Sequence, residues 1–423
     1  MSGLKVLIVG AGMAGPAFAY LLQRSNPRHQ ITIIERFPGI RGAGQQVDVK
    51  NQGVKILHRM DLLEAFKSKC VNEEGLEIVD SNGSVLGTFG VSPAGEQHVG
   101  LTSEYEIMRG DYVQLLHDAT REQNARLSGS LKYEFGQEIT DLKQDANQVE
   151  VTFSNGKKGR YDLVVGADGQ SSRTRRLAFG RAESEAAMYS YGVHVAYYSI
   201  PRVPGEGTLA RAYNFPGGAV LTRNNNRPRT QILLFTNAAE HAASIRASYT
   251  QPVDAQRAAF TKAFRGAGWD IERMLDGAQS TDDFYSSELA QVRMKEMTKG
   301  RVALVGDAGS CPTPFTGQGL TLSLITSYVL AGELARAGND VPRALEAFNR
   351  VVRPGIDEAQ QLSRTTMKIL LPGSSMGVWL LQTLTWMYSK VQHLVPQSTD
   401  GASTDGYGGK WKIPDYPELN LRK

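Results

Sequence analysis

The chain has 423 residues, enough for two to three units at roughly 150 residues each. Hydrophobic residues make up 41% and charged residues 21%, ordinary values that exclude a disordered or fibrous chain. Lys plus Arg number 47 against 43 Asp plus Glu, and a net charge of +4 over this length sets up no strong field for nucleic acid or a membrane. Two cysteines, Cys70 and Cys311, are too few for a disulfide scaffold or a Cys-based zinc site. The first residues run directly into a short apolar strand that ends in glycines, unlike a secretory leader, so the expected setting is the cytoplasm. From Lys368 to Lys390 no charge intervenes, but Pro372-Gly373-Ser374-Ser375 divides the stretch and leaves it too short to span a bilayer.

Residues 4–9 are apolar and rich in β-branched side chains, the pattern of a buried parallel strand. Gly10-Ala11-Gly12-Met13-Ala14-Gly15 follows and opens a helix, with Pro16 tolerated in its first turn. Residues 30–35 read as a second strand. Gly39 to Gly44 is a flexible loop, and 51–66 is a predicted helix. Strand-like pieces at 76–79 and 85–89 flank Asn82-Gly83, a hairpin signal. Residues 111–123 form a predicted amphipathic helix. Pieces at 149–153 and 161–165 flank Asn155-Gly156, a second hairpin signal. From 188 to 236 the pattern is β-rich, with turns at Pro204-Gly205, Pro216-Gly217 and 224–226, which suggests an antiparallel sheet on a second domain. Residues 254–264 read as a helix, 301–305 as a strand and 317–336 as a long helix. Asp340 is a plausible cap for another helix, bent or broken near Pro354. A last amphipathic helix covers 376–395, and the tail after Pro396 reads as irregular.

Each glycine of the first motif has a mechanical reason. Gly10 allows the tight turn, Gly12 the close approach of a pyrophosphate, and Gly15 the packing of helix on strand. The helix N-terminus, with Met13 and Ala14, offers free N–H groups to phosphate. Glu35, at the end of the second strand, suits the two hydroxyls of an adenosine ribose and opposes a 2′-phosphate. The motif therefore favours FAD or NAD. Two later segments choose between them: Val165-Gly166-Ala167-Asp168-Gly169, and Val305-Gly306-Asp307-Ala308 with Pro314 to Gly319 behind it. Each sets an Asp beside a Gly at the carboxyl end of an apolar strand, where open α/β sheets bind ligands. Asp307 suits a ribityl hydroxyl, and a helix opening at Gly317 to Leu320 would face a flavin's pyrimidine edge. The bland alternatives are an ordinary turn at Asp168-Gly169 and a helix cap at Asp307.

In this order and spacing, the glycine motif with Glu35, the Asp168-Gly169 segment and Gly306-Asp307 resemble the single-component (class A) FAD-dependent aromatic hydroxylases. Stretches such as Gly42-Ala43-Gly44-Gln45-Gln46-Val47-Asp48-Val49, Met108-Arg109-Gly110-Asp111 and Asp282-Asp283-Phe284-Tyr285 look closest to the tetracycline-inactivating branch. The resemblance implies an α/β fold: a Rossmann-like FAD-binding domain (1–75, 100–182 and 283–345) interleaved with an antiparallel β-sheet substrate domain (76–99 and 183–282), then C-terminal helices and tail (346–423). It implies that Arg36, Gly44, Gln45, Arg109, Asp307, Pro314, Gly317, Gly319 and Leu320 contact FAD with the motif residues. It also implies that NADH or NADPH reduces the flavin, and that a C4a-hydroperoxide hydroxylates a small aromatic or polycyclic substrate. The alternatives are an FAD oxidase or dehydrogenase of the same fold, and a flavin-binding protein without turnover.

No metal is needed, because the cofactor carries the chemistry. The protein must supply orientation and a dry pocket. Candidates for the pocket are Phe215, Phe235, Pro314, Phe315 and Trp379. Candidates for side-chain catalysis are His194, Arg211 and Tyr213, against the plainer readings of a structural strand histidine, a solvated arginine and a core tyrosine. Arg223 is weighed beside Arg211 as a partner for an anionic substrate. Neither oligomeric state nor substrate identity is legible.

Overall fold

The computed structural model describes residues 3–42, 44–91, 105–224, 227–391 and 411–422. Ala43, the turn at 225–226, the expected domain junction near 100, the end of the last helix at 392–395 and the tail from 396 to 410 lie outside the described residues.

Strand Lys5–Val9 is buried on both faces, and it pairs in parallel on both edges, with Gln30–Glu35 and with Leu163–Gly166. The sheet grows to six strands in the order Thr298–Lys299, Val302–Leu304, Leu163–Gly166, Lys5–Val9, Gln30–Glu35, Ser130–Phe135. All neighbours are parallel except the short edge hairpin of Thr298–Lys299 with Val302–Leu304. The register aligns the strand ends: Val9 lies opposite Gly166, and Gly166 opposite Leu304. Three strands 300 residues apart in the chain therefore end side by side, and the loops beyond them open at one edge.

Helix Gly319–Arg336 is apolar on every side, so it must be covered on every side. Ala14–Ser25, Gln52–Arg59 and Val341–Ala359 pack around it. The C-terminal segment completes the cover: Tyr416 sits against Gly332 and donates to Glu333 at 2.6 Å. Residues 411–422 are thus irregular in backbone, apart from one short turn at Pro417–Leu419, yet firmly packed. Helix Val341–Ala359 is capped by Asp340, which accepts from the Arg343 amide, and it runs unbroken through Pro354. The helix expected at 51–66 is two, Gln52–Arg59 and Leu63–Lys67, divided at Asp61, which adopts φ 61°.

A second sheet has seven strands in the order Tyr285–Val292, Met188–Pro201, Arg229–Thr236, Gly218–Arg223, Ala210–Phe215, Gly75–Val79, Val85–Gly90. Its pairs are antiparallel save one parallel junction, Ala210–Phe215 with Gly75–Val79. Asn82-Gly83 turns the Gly75–Val79 and Val85–Gly90 hairpin as expected. The second hairpin differs. Val149–Phe153 pairs with Lys158–Tyr161, and the apolar run beyond, Leu163–Gly166, belongs to the parallel sheet. One face of the seven-stranded sheet packs on helices Val253–Phe264 and Ile271–Ser280. The other carries Val195, Tyr197, Leu233 and Phe235 and packs against Phe315, Met367 and Leu371.

No helix among the described residues is long and apolar enough to cross a membrane. Helix Ser375–Val391 lies on the surface, packed on Val85–Gly90.

Candidate cofactor site and substrate wall

The loops at the shared strand edge surround one cavity. Gly10, Gly12, Met13, Ala14, Glu35, Arg36, Arg109, Asp168 and Asp307 all line it. Gly10 and Gly15 sit where the backbone leaves no room for a side chain. Gly10 has φ +113°, and a Cβ there would lie 2.5 Å from the Ala167 carbonyl. A Cβ on Gly15 would collide with the Gly10 carbonyl, so helix and turn touch backbone to backbone. Gly12 has open space on its cavity side, the nearest atom to an added Cβ being Arg109 Nη2 at 4.0 Å. Glu35 is held in place by the amides of Ala11 at 3.0 Å and Phe37 at 3.2 Å.

Asp168 lines the wall but turns its carboxylate into its own loop. It accepts from Ser172 Oγ at 2.5 Å and from the amide and hydroxyl of Thr174 at 2.9 and 3.0 Å. Asp307 is overlaid by protein, yet keeps part of its surface open to the cavity. Burial raises its carboxyl pKa, an effect opposed by the Arg109 guanidinium and the Cys311 thiol. Arg109 heads the helix Arg109–Arg126, and Gly44 packs against its side chain. The adjoining Gly110 lies so close to the Gly42 carbonyl that no side chain would fit.

Three buried polar atoms around this space lack a hydrogen-bond partner: Gln45 Oε1, Gln137 Oε1 and Thr313 Oγ1. Gln137 lines the cavity, Gln45 lies in the loop against Arg109, and Thr313 precedes the turn Pro314–Thr316. Unmet buried acceptors and hydroxyls at such positions fit a ligand rich in N–H and O–H groups, as a dinucleotide is. Gly317 (φ +60°) and Gly319 bring the chain into helix Gly319–Arg336, whose Leu320 is buried. Among the described residues no cluster of His, Cys, Asp or Glu could hold a metal ion.

Next to the cavity lies the inner face of the seven-stranded sheet. Tyr197 and Tyr285 stack at 4.7 Å, and Phe235 meets Phe315 at 5.3 Å. Burial pushes the Tyr285 hydroxyl up to about 12, while Arg109 and Arg41 pull it down, which places its ring beside the cavity's cations.

Residues 3–355 match the FAD binding domain family. The FAD-dependent monooxygenase asL6 of Sarocladium schorii is 35% identical over 99% of both chains. The chain belongs to the FAD-dependent monooxygenases. The flavin-dependent monooxygenase eupH of a Phoma species is 33% identical over 91% of each chain. Among solved structures, the tetracycline destructase Tet(51) superposes with a TM-score of 0.75 at 28% identity, covering 93% of this chain and 98% of its own.

Within this monooxygenase frame, several candidate residues fall elsewhere. His194 is 1% exposed and points to the helix side of the sheet, where its Nδ1 meets Tyr249 Oη at 2.7 Å. Burial lowers its pKa, which disfavours the charged ring. Tyr213 and Phe215 share that far face, with Tyr213 donating to the Ala267 carbonyl at 2.6 Å and Phe215 edge-on to Phe264. Arg211 pairs with Glu77 at 2.9 Å. The physical reason is the pleat: alternate residues face opposite ways, so Val195 and Tyr197 look inward while His194 and Tyr198 look outward. Trp379 is 59% exposed on the surface helix and is not part of the wall. Arg223 is neither solvated nor available, because Glu73 at 2.5 Å and Glu106 at 2.7 Å enclose it.

Two positions escaped sequence reasoning. Tyr285 carried a signal, since it sits in the Asp282-Asp283-Phe284-Tyr285 stretch. Arg175 did too, three residues past Ser172. Its buried guanidinium donates to the carbonyls of Ala308 at 2.6 Å and Gln170 at 2.8 Å, and to Ser184. It ties the Asp168 loop to the Asp307 loop by hydrogen bonds to carbonyls and a hydroxyl.

Proposed function

We propose that this monooxygenase uses NADH or NADPH and O2 to hydroxylate a small aromatic or polycyclic compound. One observation carries the reading: Arg41 and Arg109 line the cavity framed by three strand ends, and the same two cations act on Tyr285 of the aromatic wall. When bound, FAD supplies hydride acceptance and oxygen activation, chemistry that no side chain here provides. Gly10, Gly12, Gly15 and the start of helix Ala14–Ser25 would hold its pyrophosphate, with Glu35 on the adenosine ribose and Arg36 at the rim. Asp307 would accept from the ribityl chain. Arg109, Gly44, Gln45, Pro314, Gly317, Gly319 and Leu320 would surround the ring system, and Asp168 would shape the wall through its loop.

The substrate would lie flat between the ring and the wall of Tyr197, Phe235, Tyr285 and Phe315. These side chains orient it and exclude water, which limits wasteful loss of activated oxygen. Among the described residues, Tyr197, Phe235, Tyr285 and Phe315 offer no carboxylate or imidazole base, so the fitting substrate is already electron-rich, such as a phenol or an enolised polycycle. The interleaved division at 1–75, 100–182 and 283–345 against 76–99 and 183–282, with 346–423 as C-terminal cover, is the domain plan that goes with this reading. A cytoplasmic setting is supported by two free thiols, Cys70 and the buried Cys311.

The test is direct. The purified protein should be yellow and should oxidise NADH or NADPH faster when phenolic or polycyclic compounds are present. Labelled O2 should place one labelled oxygen in the product. Hydrogen peroxide as the sole oxygen product, with every compound tried, would identify an oxidase instead. A flavin-loaded protein with no turnover would identify a binding protein.

A further inference from the structure

Helix Ser375–Val391 shows its apolar side to the outside. Toward the sheet it presents Val378, its one buried residue, with Leu381, Gln382, Thr385 and Ser389 half-buried around it. Ser389 lies against Gly87 and donates to the Leu86 carbonyl at 3.3 Å. Outward it presents Met376, Leu380, Leu384, Met387 and Val391, with Met376 72% and Leu384 54% exposed. At 3.6 residues per turn these five form one stripe. Trp379 and Trp386, seven residues apart, border it on one side and Tyr388 on the other, for an exposed arc of roughly 200°. Ile369, just before the helix, and Val85, on the strand beneath it, are exposed as well. A surface helix ordinarily does the reverse.

Charge selects the occupant. From 359 to 399 the sequence holds no Asp or Glu, while Arg364, Lys368 and Lys390 are present. A second copy fits poorly. Antiparallel pairing would set each Lys390 near the positive end of the other helix, parallel pairing would set the two lysines together, and no Asp or Glu between 359 and 399 compensates either. The arc is also wider than a two-helix seam. An anionic lipid surface suits both features, since it takes the apolar stripe into the acyl boundary, the Trp and Tyr borders at headgroup level and the cations against the lipid phosphates.

We infer that this helix lies in the plane of an anionic membrane and holds the enzyme there without spanning it. The helix is also tied to the substrate wall. Asn214 and Asn237 donate to the carbonyls of Leu370 and Leu371, and the Gly217 amide donates to that of Pro372. Met367 and Leu371, in the segment leading into the helix, are buried with Phe235 and Tyr197. An apolar substrate dissolved in lipid would meet the enzyme on this side.

The test uses flavin-loaded, full-length protein floated with vesicles of phosphatidylcholine alone and of phosphatidylcholine mixed with phosphatidylserine. Binding should be at least about tenfold tighter to the mixed vesicles, weaken with salt and shift tryptophan emission to the blue. The pair Leu380→Glu and Met387→Glu, both at exposed positions, should lose at least about tenfold in binding while keeping flavin and melting temperature. If the acidic pair sheds its flavin, Met376→Gln with Trp379→Gln replaces it and should show the same loss. No flotation of wild type on mixed vesicles overturns the inference, and so does flotation that either folded variant leaves unchanged. A wild-type dimer that ignores vesicles and is split by Leu380→Glu would assign the stripe to a second copy instead.

Discussion

The strand-end edge, proposed for the cofactor, and the inner face of the seven-stranded sheet, proposed for the substrate, are built by opposite means. At the edge, backbone does the positioning: Gly10 turns where no side chain fits, Gly15 lets a helix touch a carbonyl, and Arg175 clamps two loops by their carbonyls. On the wall, side chains do it: Tyr197 on Tyr285 and Phe235 on Phe315, with neutral apolar neighbours. The first kind of site tolerates almost no substitution, because a backbone contact cannot yield. The second tolerates exchange of one apolar group for another at modest cost. A fold of this design can keep its cofactor while changing its substrate.

Five changes probe that contrast, beginning with the largest. Between the two regions lies the buried cluster of Arg223, Glu73 and Glu106, to which Gln46 also donates. Arg223→Ala would strand two carboxylates away from water and should cost about 3–5 kcal/mol, read as a fall in urea midpoint. Gly15→Ala should cost about 3 kcal/mol, with loss of bound flavin, since its methyl group meets the fixed Gly10 carbonyl. An alanine protein with normal melting and full flavin would show that the backbone at this edge can yield.

Asp307→Asn should release FAD about 10- to 100-fold more readily, the worth of a hydrogen bond to a charged group, measured by equilibrium dialysis. Unchanged FAD affinity would remove Asp307 from the cofactor's contacts. On the wall, Phe315→Ala should leave FAD bound and raise KM about tenfold, with more peroxide formed per turnover. His194→Ala should leave the pH profile of kcat unmoved, because that ring faces the other way. A shifted profile would return His194 to the reaction.

One pH effect lies outside both regions and serves as their control. His29 accepts the Leu4 amide at Nδ1, and burial drops its pKa from 6.5 to about 4. The unfolded chain therefore binds this proton at a higher pH than the folded one. The stability it contributes is complete above about pH 6.5 and falls away toward pH 4, by about 2 kcal/mol at pH 5. His29→Asn keeps an acceptor for Leu4 without the titration and should flatten that slope. An equal slope in the variant would assign the acid sensitivity to other groups.

The cofactor edge was readable because its signals are local. A strand of known length, glycines at fixed offsets and an acid at the end of the next strand dictate geometry within about 30 residues. The two Asp-Gly strand ends repeat the same grammar. The wall was not readable for the same reason in reverse. Along Met188–Pro201 both alternating sets are apolar or aromatic, so composition alone does not tell which faces the cofactor. His194 and Tyr213 were drawn to the wrong face by residue type. Arg223 looked like a surface charge because its partners, Glu73 and Glu106, lie 150 and 117 residues away. The last helix reads as amphipathic in its sequence, but only packing revealed that the stripe of Met376, Leu380 and Leu384 is the side left bare.

By itself, then, the sequence determined which strand ends could grip a dinucleotide, since turn chemistry and helix-terminus dipoles depend on near neighbours. Tertiary structure alone decided which side of each long strand packs on the helices, which side turns to Phe315, and which side of the last helix stays bare. Those choices are made by contacts between residues far apart in the chain, where period and composition carry no direction.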